Sequence, residues 1–277
     1  MCVTRWWSRV RDSPGARNQG PRRSQSDVIG FIVVFSIVLV ALVGVSAFGI
    51  SALETTRDAT VAESGELAME SVSADLEALF TGTASSRTTE LNVESGTLAT
   101  GEETRMQVTV ERGGTTLTPS LDRTFRPITF ESDRASVVAE NTLLVRDQRV
   151  ESGAIALQGP LGTFSDEHTV LPMVLTQAAT EESLSGGTIQ VESIVTDTSS
   201  EVFTSDASNT LNVTAELTGI PESRAAVWRR TMNERLDGMS ARSPDTPCFT
   251  PASGGVRCEF ETDTLVTSLV TVEYDLR

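Results

Sequence analysis

The sequence contains few side chains that could carry out acid–base or nucleophilic chemistry. His168 is the single histidine, flanked by Asp166 and Glu167, and a general base needs a nucleophile brought to it in space. No G-x-S-x-G, P-loop, HExxH or dinucleotide-binding glycine pattern is present. We therefore predict that the chain is not an enzyme, holds no metal and binds no cofactor. The alternative, a secreted hydrolase, would lose its activity on His168→Ala.

Two of the three cysteines have a spacing that suits a disulfide. Cys248 and Cys258 stand ten positions apart, on either side of Gly254-Gly255. In an oxidising compartment this spacing favours a bridged hairpin, and a loop this short contributes about 2–3 kcal/mol in the chain-entropy model. The alternative is two free buried thiols. Cys2 lies far from both, near the N-terminus.

One N-x-S/T acceptor pattern occurs, at Asn212-Val213-Thr214. Such a pattern marks an N-glycosylation site when it lies on an exposed surface. Here it falls in a segment with the alternation of a β-strand, so Asn212 is a candidate rather than an assigned site.

The charge balance restricts the partners and suggests the environment. The chain has 22 basic residues, every one of them Arg, against 38 acidic residues, and its net charge is −16. Because nucleic acid phosphates must be met by Arg and Lys, this balance predicts no nucleic acid partner. Dense carboxylates repel one another less when molar salt shortens the Debye length to about 3 Å. We predict a protein of a salt-loving organism; the alternative is an ordinary acidic protein.

A long uncharged apolar segment lies near the N-terminus. Residues 28–53 read VIGFIVVFSIVLVALVGVSAFGISAL, and no charged residue stands between Asp27 and Glu54. As a helix this segment is about 39 Å long, against about 30 Å for the hydrocarbon core of a bilayer. It therefore predicts one transmembrane helix over residues 28–53, long enough to cross with some tilt.

The flanking charges predict the orientation of that helix. Residues 1–27 carry a net charge of +4 and residues 54–277 a net charge of −20. The positive-inside rule then keeps the basic leader, residues 1–27, in the cytoplasm and sends residues 54–277 outside. Two alternatives remain open: a secretory signal cleaved near Ala47, although its apolar core would be unusually long, and a twin-arginine signal at Arg22-Arg23, which lacks apolar residues after the pair.

The residues just before the apolar segment suggest a third kind of signal. Arg22-Arg23-Ser24-Gln25-Ser26-Asp27 runs directly into the Val-rich helix. This junction resembles the archaeal class III signal of type IV pilins, in which a prepilin peptidase cuts the leader on the cytoplasmic side and the helix stays with the mature protein. By that resemblance the cut falls between Ser24 and Gln25, and Cys2 is lost with the leader.

Further short segments resemble one uncharacterised haloarchaeal pilin-like, single-pass membrane protein family. They occur in the same order along most of the chain: residues 56–59 (TRDA), 86–91 (SRTTEL), 146–149 (RDQR), 165–172 (SDEHTVLP) and 222–228 (ESRAAVW). The resemblance implies a surface location and a pilin-like architecture, and it implies no enzymatic activity.

The periodicity after the span continues as a helix. Small and apolar residues recur at steps of three and four, at Val61, Gly65, Ala68, Val72, Leu76 and Leu79. No Pro interrupts residues 28–80. We predict an amphipathic helical extension over residues 54–82. Its apolar face packs either on the protein's own domain or on a neighbouring subunit.

From residue 83 onward the composition changes: Thr, Val and Glu become frequent and paired glycines occur, which is typical of β-strands joined by turns. We predict an α+β fold in which residues 83–277 form a mostly antiparallel β-sandwich-like domain. The predicted strands are Thr88–Val93, Arg105–Glu111, Ile128–Phe130, Ser136–Ala139, Thr142–Arg146, Ala154–Leu157, Val170–Leu175, Thr188–Val195, Thr210–Leu217, Val256–Phe260 and Leu265–Tyr274. One late helix is expected near residues 221–238, where Pro221 precedes an apolar stripe that includes Trp228 as a core anchor. Arg224 is expected largely off that stripe.

These patterns favour a non-enzymatic, pilin-like surface protein with a structural or assembly role in a haloarchaeon. Its predicted location is the cell membrane, with a cytoplasmic N-terminus and an extracellular C-terminal domain. The predicted partners are the lipid bilayer, other pilin-like subunits and a prepilin peptidase. The alternative is a monomeric, membrane-tethered binding module, in which the helix serves only as an anchor.

Overall fold

The computed structural model describes residues 24–93, 96–117, 121–148, 153–180, 183–239 and 246–277. The predicted leader up to residue 23, with Cys2, lies outside the described residues. Backbone contacts divide the chain into two compact units, Met1–Glu54 and Thr55–Arg277. The first unit contributes the apolar part of a helix, and the second contains the β-sheets.

Helix α1 (Ser24–Phe80) is continuous through the apolar segment and beyond it. Two residues after its end lies Gly82, whose φ of +72° suits a residue without a Cβ. There the amide of Thr83 donates to the carbonyl of Ala78 at 3.1 Å and that of Gly82 to Leu79 at 3.2 Å. This pair of bonds is a Schellman cap, which satisfies the last carbonyls of the helix and turns the chain toward the first strand.

Sixteen strands and a second helix follow α1 in the described residues. The helix is α2 (Glu222–Arg235). The strands are β1 (Ser86–Asn92), β2 (Thr97–Thr100), β3 (Thr104–Arg112), β4 (Thr115–Thr116), β5 (Leu121–Phe125), β6 (Ile128–Glu131), β7 (Ala135–Glu140), β8 (Leu143–Gln148), β9 (Gly153–Gln158), β10 (His168–Ala178), β11 (Ser183–Ser185), β12 (Thr188–Thr204), β13 (Leu211–Thr218), β14 (Cys248–Phe249), β15 (Val256–Thr262) and β16 (Thr264–Leu276).

The strands form three sheets. Sheet A has the order β1-β12-β16-β10, sheet B the order β11-β2-β6-β7-β8-β9, and sheet C the order β14-β15-β13-β3-β4, with β5 also paired to β3. The pairings of the named strands are antiparallel except for β10 and β16, which run parallel. The prediction of an apolar N-terminal helix followed by a mostly antiparallel, sandwich-like β-domain is confirmed at this level.

Two hydrophobic cores share the central strands. Core 1 lies between sheet C, α2 and one face of β8, β10 and β16, whereas core 2 lies between the second half of α1 and the strands of sheets A and B. Since successive side chains of a strand point to opposite faces, neighbours in β10 enter different cores: Met173 packs in core 1 and Val174 in core 2. The central strands are therefore buried on both faces.

Five strands lie where the sequence pattern predicted none, and all are short. They are β2, β4, β5, β11 and β14. A sixth difference concerns β12, whose expected end was Val195 but which continues to Thr204. A β-bulge between Val195 and Asp197 shifts the register there, and the Ser- and Thr-rich continuation carries little of the apolar alternation that marks a strand.

Candidate functional site

The first half of α1 is the segment of the described chain that has the properties of a membrane anchor. Val28–Ser46 is long and apolar enough to cross a bilayer, and none of it is buried by the protein. Its 19 residues span about 28 Å as a helix, close to the hydrocarbon thickness. Phe31, Ile37 and Val40 are 70%, 63% and 73% exposed. An apolar surface this large requires a lipid or protein cover.

The predicted cleavage residues lie at the beginning of this helix. Ser24 and Gln25 are the first two residues of α1. The basic residues that precede them belong to the part of the chain that the structure does not describe. The cut between Ser24 and Gln25 stays a prediction.

The second half of α1 packs into the protein's own core. Met69, Val72, Leu76 and Leu79 are at most 4% exposed and belong to core 2. Their spacing of three and four residues forms one buried face, as expected for a helix on a sheet. Of the two alternatives for this face, packing on its own domain is the one that the structure adopts.

Close approach of this helix to sheet B depends on Gly65. A Cβ added at Gly65 would stand 1.9 Å from Cε1 of Phe130 in β6, so any side chain there would displace the ring. At the next residue of the helix, Glu66 pairs with Arg146 of β8 at 2.7 Å. The Ser73 hydroxyl donates to Gln158 of β9 at 2.9 Å. Ring contact, ion pair and hydrogen bond together fix the helix on the sheet.

A buried polar cluster links α2 to the end of β7. The Trp228 indole N–H donates to Oε1 of Glu140 at 2.6 Å, and Nη1 of Arg224 lies 3.2 Å from Oε2 of the same carboxylate. Glu140 is fully buried and Arg224 is 6% exposed. Burial raises the pKa of Glu140, while Arg224 and Trp228 act in the opposite direction. The cluster joins the helix to sheet B by one paired charge.

Sequence reasoning missed this cluster. Trp228 was expected as a core anchor, and it does pack in core 1. Arg224 was expected largely off the apolar face of the late helix, but it is buried. Arg and Glu are rarely buried unless paired, and Glu140 lies more than eighty residues away. The sequence shows no local signal for such a pair.

The cavity beside Trp228 is too small for a ligand. It has a volume of about 40 Å³, and its lining is mostly apolar, with Met232, Leu161, Phe164 and Cys258 among the contributors. Ligand pockets usually enclose about 300–1,000 Å³, whereas this space suits one or two water molecules. It is a packing gap in core 1 rather than a binding site.

The structure joins Cys248 and Cys258 by a disulfide between paired positions of β14 and β15. Both are at most 4% exposed. Asn233 of α2 holds the bridge from the other side: its side-chain amide donates to the Cys248 carbonyl at 3.2 Å and its oxygen accepts the Cys248 amide at 2.8 Å. The bridge therefore fastens the β14 segment to both sheet C and α2.

His168 is an exposed residue at the first position of β10. The Ser165 hydroxyl bonds the backbone of His168, at 2.8 Å to its carbonyl oxygen and 3.0 Å to its amide nitrogen. This is a turn contact that leaves the serine directed at the main chain and not at the imidazole. Among the described residues, no three His, Cys, Asp or Glu side chains are grouped so that they could hold a metal ion.

Asn212 lies in the middle of sheet C. It is half-buried and stands between Glu111 of β3 and Glu261 of β15 in register. Its neighbours Leu211 and Val213 enter core 1, so by strand alternation Asn212 is on the outer face. The residue is thus flanked on both sides by carboxylates, on a sheet rather than on a loop.

Comparison with known proteins identifies one family. The model of a family of unknown function, DUF7289, matches residues 23–277. No curated protein and no solved structure matches the chain. The matched range includes the whole of α1 and all three sheets.

Proposed function

The chain belongs to the DUF7289 family, and we propose that it is a non-enzymatic, pilin-like surface protein that α1 holds in a cell membrane, with a structural or assembly role. The observation that carries the proposal is the division of one continuous helix. Its first half is apolar and uncovered, and its second half is part of a protein core. A helix of this kind has one end for lipid or for other subunits and one end for a displayed domain.

The charges and the disulfide support an extracellular domain. The basic residues 1–27 and the acidic residues 54–277 favour a cytoplasmic N-terminus. A buried bridge such as Cys248–Cys258 forms and persists in oxidising compartments. We also propose that the organism is a haloarchaeon, because the acidic, Lys-free composition suits a protein that faces concentrated salt.

The finer architecture belongs to the same proposal. Residues 54–82 act as an amphipathic extension whose apolar face anchors the domain, and the single late helix at 221–238 braces sheet C. A prepilin peptidase removes the leader between Ser24 and Gln25, and other pilin-like subunits cover the apolar half of α1. Asn212 remains a candidate for N-glycosylation on the outer face of sheet C.

Cys2 offers a direct test of leader removal. If Cys248 and Cys258 are bridged, Cys2 is the one free thiol of the full chain. We expect protein from native membranes, denatured without reductant, to take no maleimide label and to begin at Gln25 by N-terminal sequencing. The control is the same protein made without a prepilin peptidase, which should take one label. Labelling of the native protein at Cys2 would contradict processing.

Topology is tested separately. Protease added to intact cells should digest residues 54–277, and carbonate at high pH should leave the full-length chain in the membrane. A protected C-terminal domain, or release by carbonate, would overturn the membrane assignment whatever the state of the leader.

The alternative function, a monomeric membrane-tethered binding module, has one observation in its favour. A polar groove of about 630 Å³ is lined by residues that include Arg105, Asp122, Arg123 and Gln177. A retained leader together with an absence of subunit cross-links in native membranes would favour this alternative.

A further inference from the structure

The second half of β12 is a free sheet edge. β1 pairs with β12 only from Thr188 to Ile194, whereas β16 pairs with it as far as Thr204. Across the described ranges no strand covers residues 196–204 on the side opposite β16. Residues 197–204 therefore have a strand partner on one side only, and the bulge residue Thr196 lies next to them.

The backbone of this edge is available for pairing. Ser205 donates its amide to Asp263 on the β16 side, so odd-numbered residues of this stretch bond to β16 and even-numbered residues point outward. The outward set includes Thr198, Ser200 and Val202. Thr204, at the end, has its carbonyl bonded by Arg112 at 3.0 Å.

After the bulge at Val195/Asp197, residues 197–204 lack the Pro and basic side chains that commonly protect a sheet edge. Residues 196–204 read TDTSSEVFT and contain no Pro, Lys or Arg, which natural edges use to block pairing. Val202 is 63% exposed. The only charged residues of the stretch are Asp197 and Glu201.

We propose that this edge pairs with the same edge of a second copy of the chain, antiparallel and about a two-fold axis at Ser200. Sheet A of one copy then continues into sheet A of the other. In this register Glu201 faces Ser199 and Val202 faces Thr198 of the second copy. Asp197 faces Phe203, so no carboxylate faces another.

Neighbouring registers are worse for electrostatic reasons. An axis at Glu201 places two copies of that carboxylate opposite each other, and an axis at Ser199 places Asp197 opposite Glu201. Like charges directly opposite one another destabilise a strand pair. The axis at Ser200 also uses the whole stretch, because it pairs Thr196 of one copy with Thr204 of the other. Thr196 lies beside the start of β1, and Thr204 lies beside a turn. Since each copy carries −16, association should strengthen as salt screens the two chains.

This pairing goes beyond the proposed function, because it needs neither leader cleavage nor contact through α1. A tethered protein could form it equally well. Its failure would leave the proposed function intact, and failure of leader processing would leave the pairing intact.

Cysteine cross-linking on the full-length chain in membranes tests the register. In a C2S background, S200C places two thiols on the axis, where paired Cα atoms are about 5.5 Å apart, within disulfide range. The control T198C lies on the same edge, but its two copies are offset by about 14 Å along the strand. We expect mild oxidation to cross-link S200C into a dimer and to leave T198C without a cross-linked dimer. The S200C dimer should be more abundant in molar KCl than in dilute buffer. No S200C dimer, or equal dimer from both variants, would overturn the proposal.

A second variant tests the edge without cysteine. V202K adds a charge at the exposed edge and should abolish the dimer seen by analytical ultracentrifugation of the purified full chain in detergent. I194K is the matched control, since Ile194 is also exposed, at 42%, but lies in the stretch that β1 already pairs. A dimer that persists in V202K argues against the pairing, and so does a dimer that is lost equally in V202K and I194K. A wild-type chain that is monomeric also argues against it, and would be the result if this edge pairs with a strand of a different protein.

Discussion

Removal of Arg224 should leave one charge buried without its partner. The Glu140 carboxylate is fully buried, and its contacts are the Trp228 indole and the Arg224 guanidinium, whose side chain is 8% exposed. Arg224→Met keeps an unbranched apolar stem in the same space but removes the cation. Breaking a buried ion pair in this way costs about 3–5 kcal/mol of unfolding free energy. Removing both charges with Glu140→Gln and Arg224→Met should recover most of that loss.

The cost of Arg224→Met should depend on pH in a defined direction. Burial raises the pKa of Glu140 above its ordinary 4.5 in the folded protein, and loss of the guanidinium raises it further. A carboxyl whose pKa is higher in the folded protein than in the unfolded chain stabilises the fold at pH values below its unfolded pKa. This stabilisation is lost as the pH rises through the folded pKa. The unfolding free energy of Arg224→Met should therefore be closest to that of the wild type near pH 5 and furthest below it near pH 8.

Urea unfolding followed by tryptophan fluorescence measures this effect. With Trp6 and Trp7 replaced by Phe, Trp228 is the single reporter and lies in the cluster itself. Arg230→Met is the matched control, because Arg230 is an exposed residue of the same helix and should change stability by no more than about 0.5 kcal/mol. The reasoning is refuted if Arg224→Met costs less than about 1 kcal/mol, or if its cost is equal at pH 5 and pH 8.

Three further predictions concern packing, ionisation and salt. Gly65→Ala should lower the unfolding free energy by about 1–3 kcal/mol in the same urea assay, because its Cβ would meet the Phe130 ring. Gly44→Ala, with no atom within 4 Å, should not lower it. Tyr274 is the only tyrosine, and burial raises its pKa to about 12. The contribution of Tyr274 to the unfolding free energy should therefore be constant below pH 10 and fall by up to about 3 kcal/mol as the pH rises from 10 to 12. A phenol absorbance at 295 nm that titrates near pH 10 in the folded protein would contradict this. Circular dichroism should report a cooperative fold in molar KCl that loosens in dilute buffer, and a spectrum unchanged across that range would contradict the halophilic interpretation.

Properties that depend on neighbouring residues could be predicted from the sequence. The apolar part of α1 could be recognised because hydropathy over a single helix is a local sum. The buried face around Val72 and Leu79 was visible for the same reason, although Met69, which is fully buried, was not included in the predicted stripe. The spacing of Cys248 and Cys258 pointed to the hairpin that the structure closes with a bridge.

Properties that depend on distant residues could not be predicted in this way. The parallel pairing of β10 with β16 joins segments almost a hundred residues apart, and no local pattern encodes such a partner. The burial of Arg224 in α2 requires Glu140 from sheet B. The continuation of β12 past Val195 was missed because polar side chains occupy both of its faces, and alternation is the signal by which strands are recognised.

The sharing of β16 between both cores has a consequence for biogenesis. Leu79 of α1 and Val272 of β16 both belong to core 2, although almost the whole domain separates them along the chain. A ribosome completes the apolar anchor long before it supplies the strand that this helix needs. If α1 inserts into a membrane as we propose, its insertion can begin before the domain closes, and the stripe around Leu79 is uncovered in the interval. Contacts of such long sequence separation also form slowly, which makes this interval the period in which the new chain is most exposed to proteolysis and aggregation.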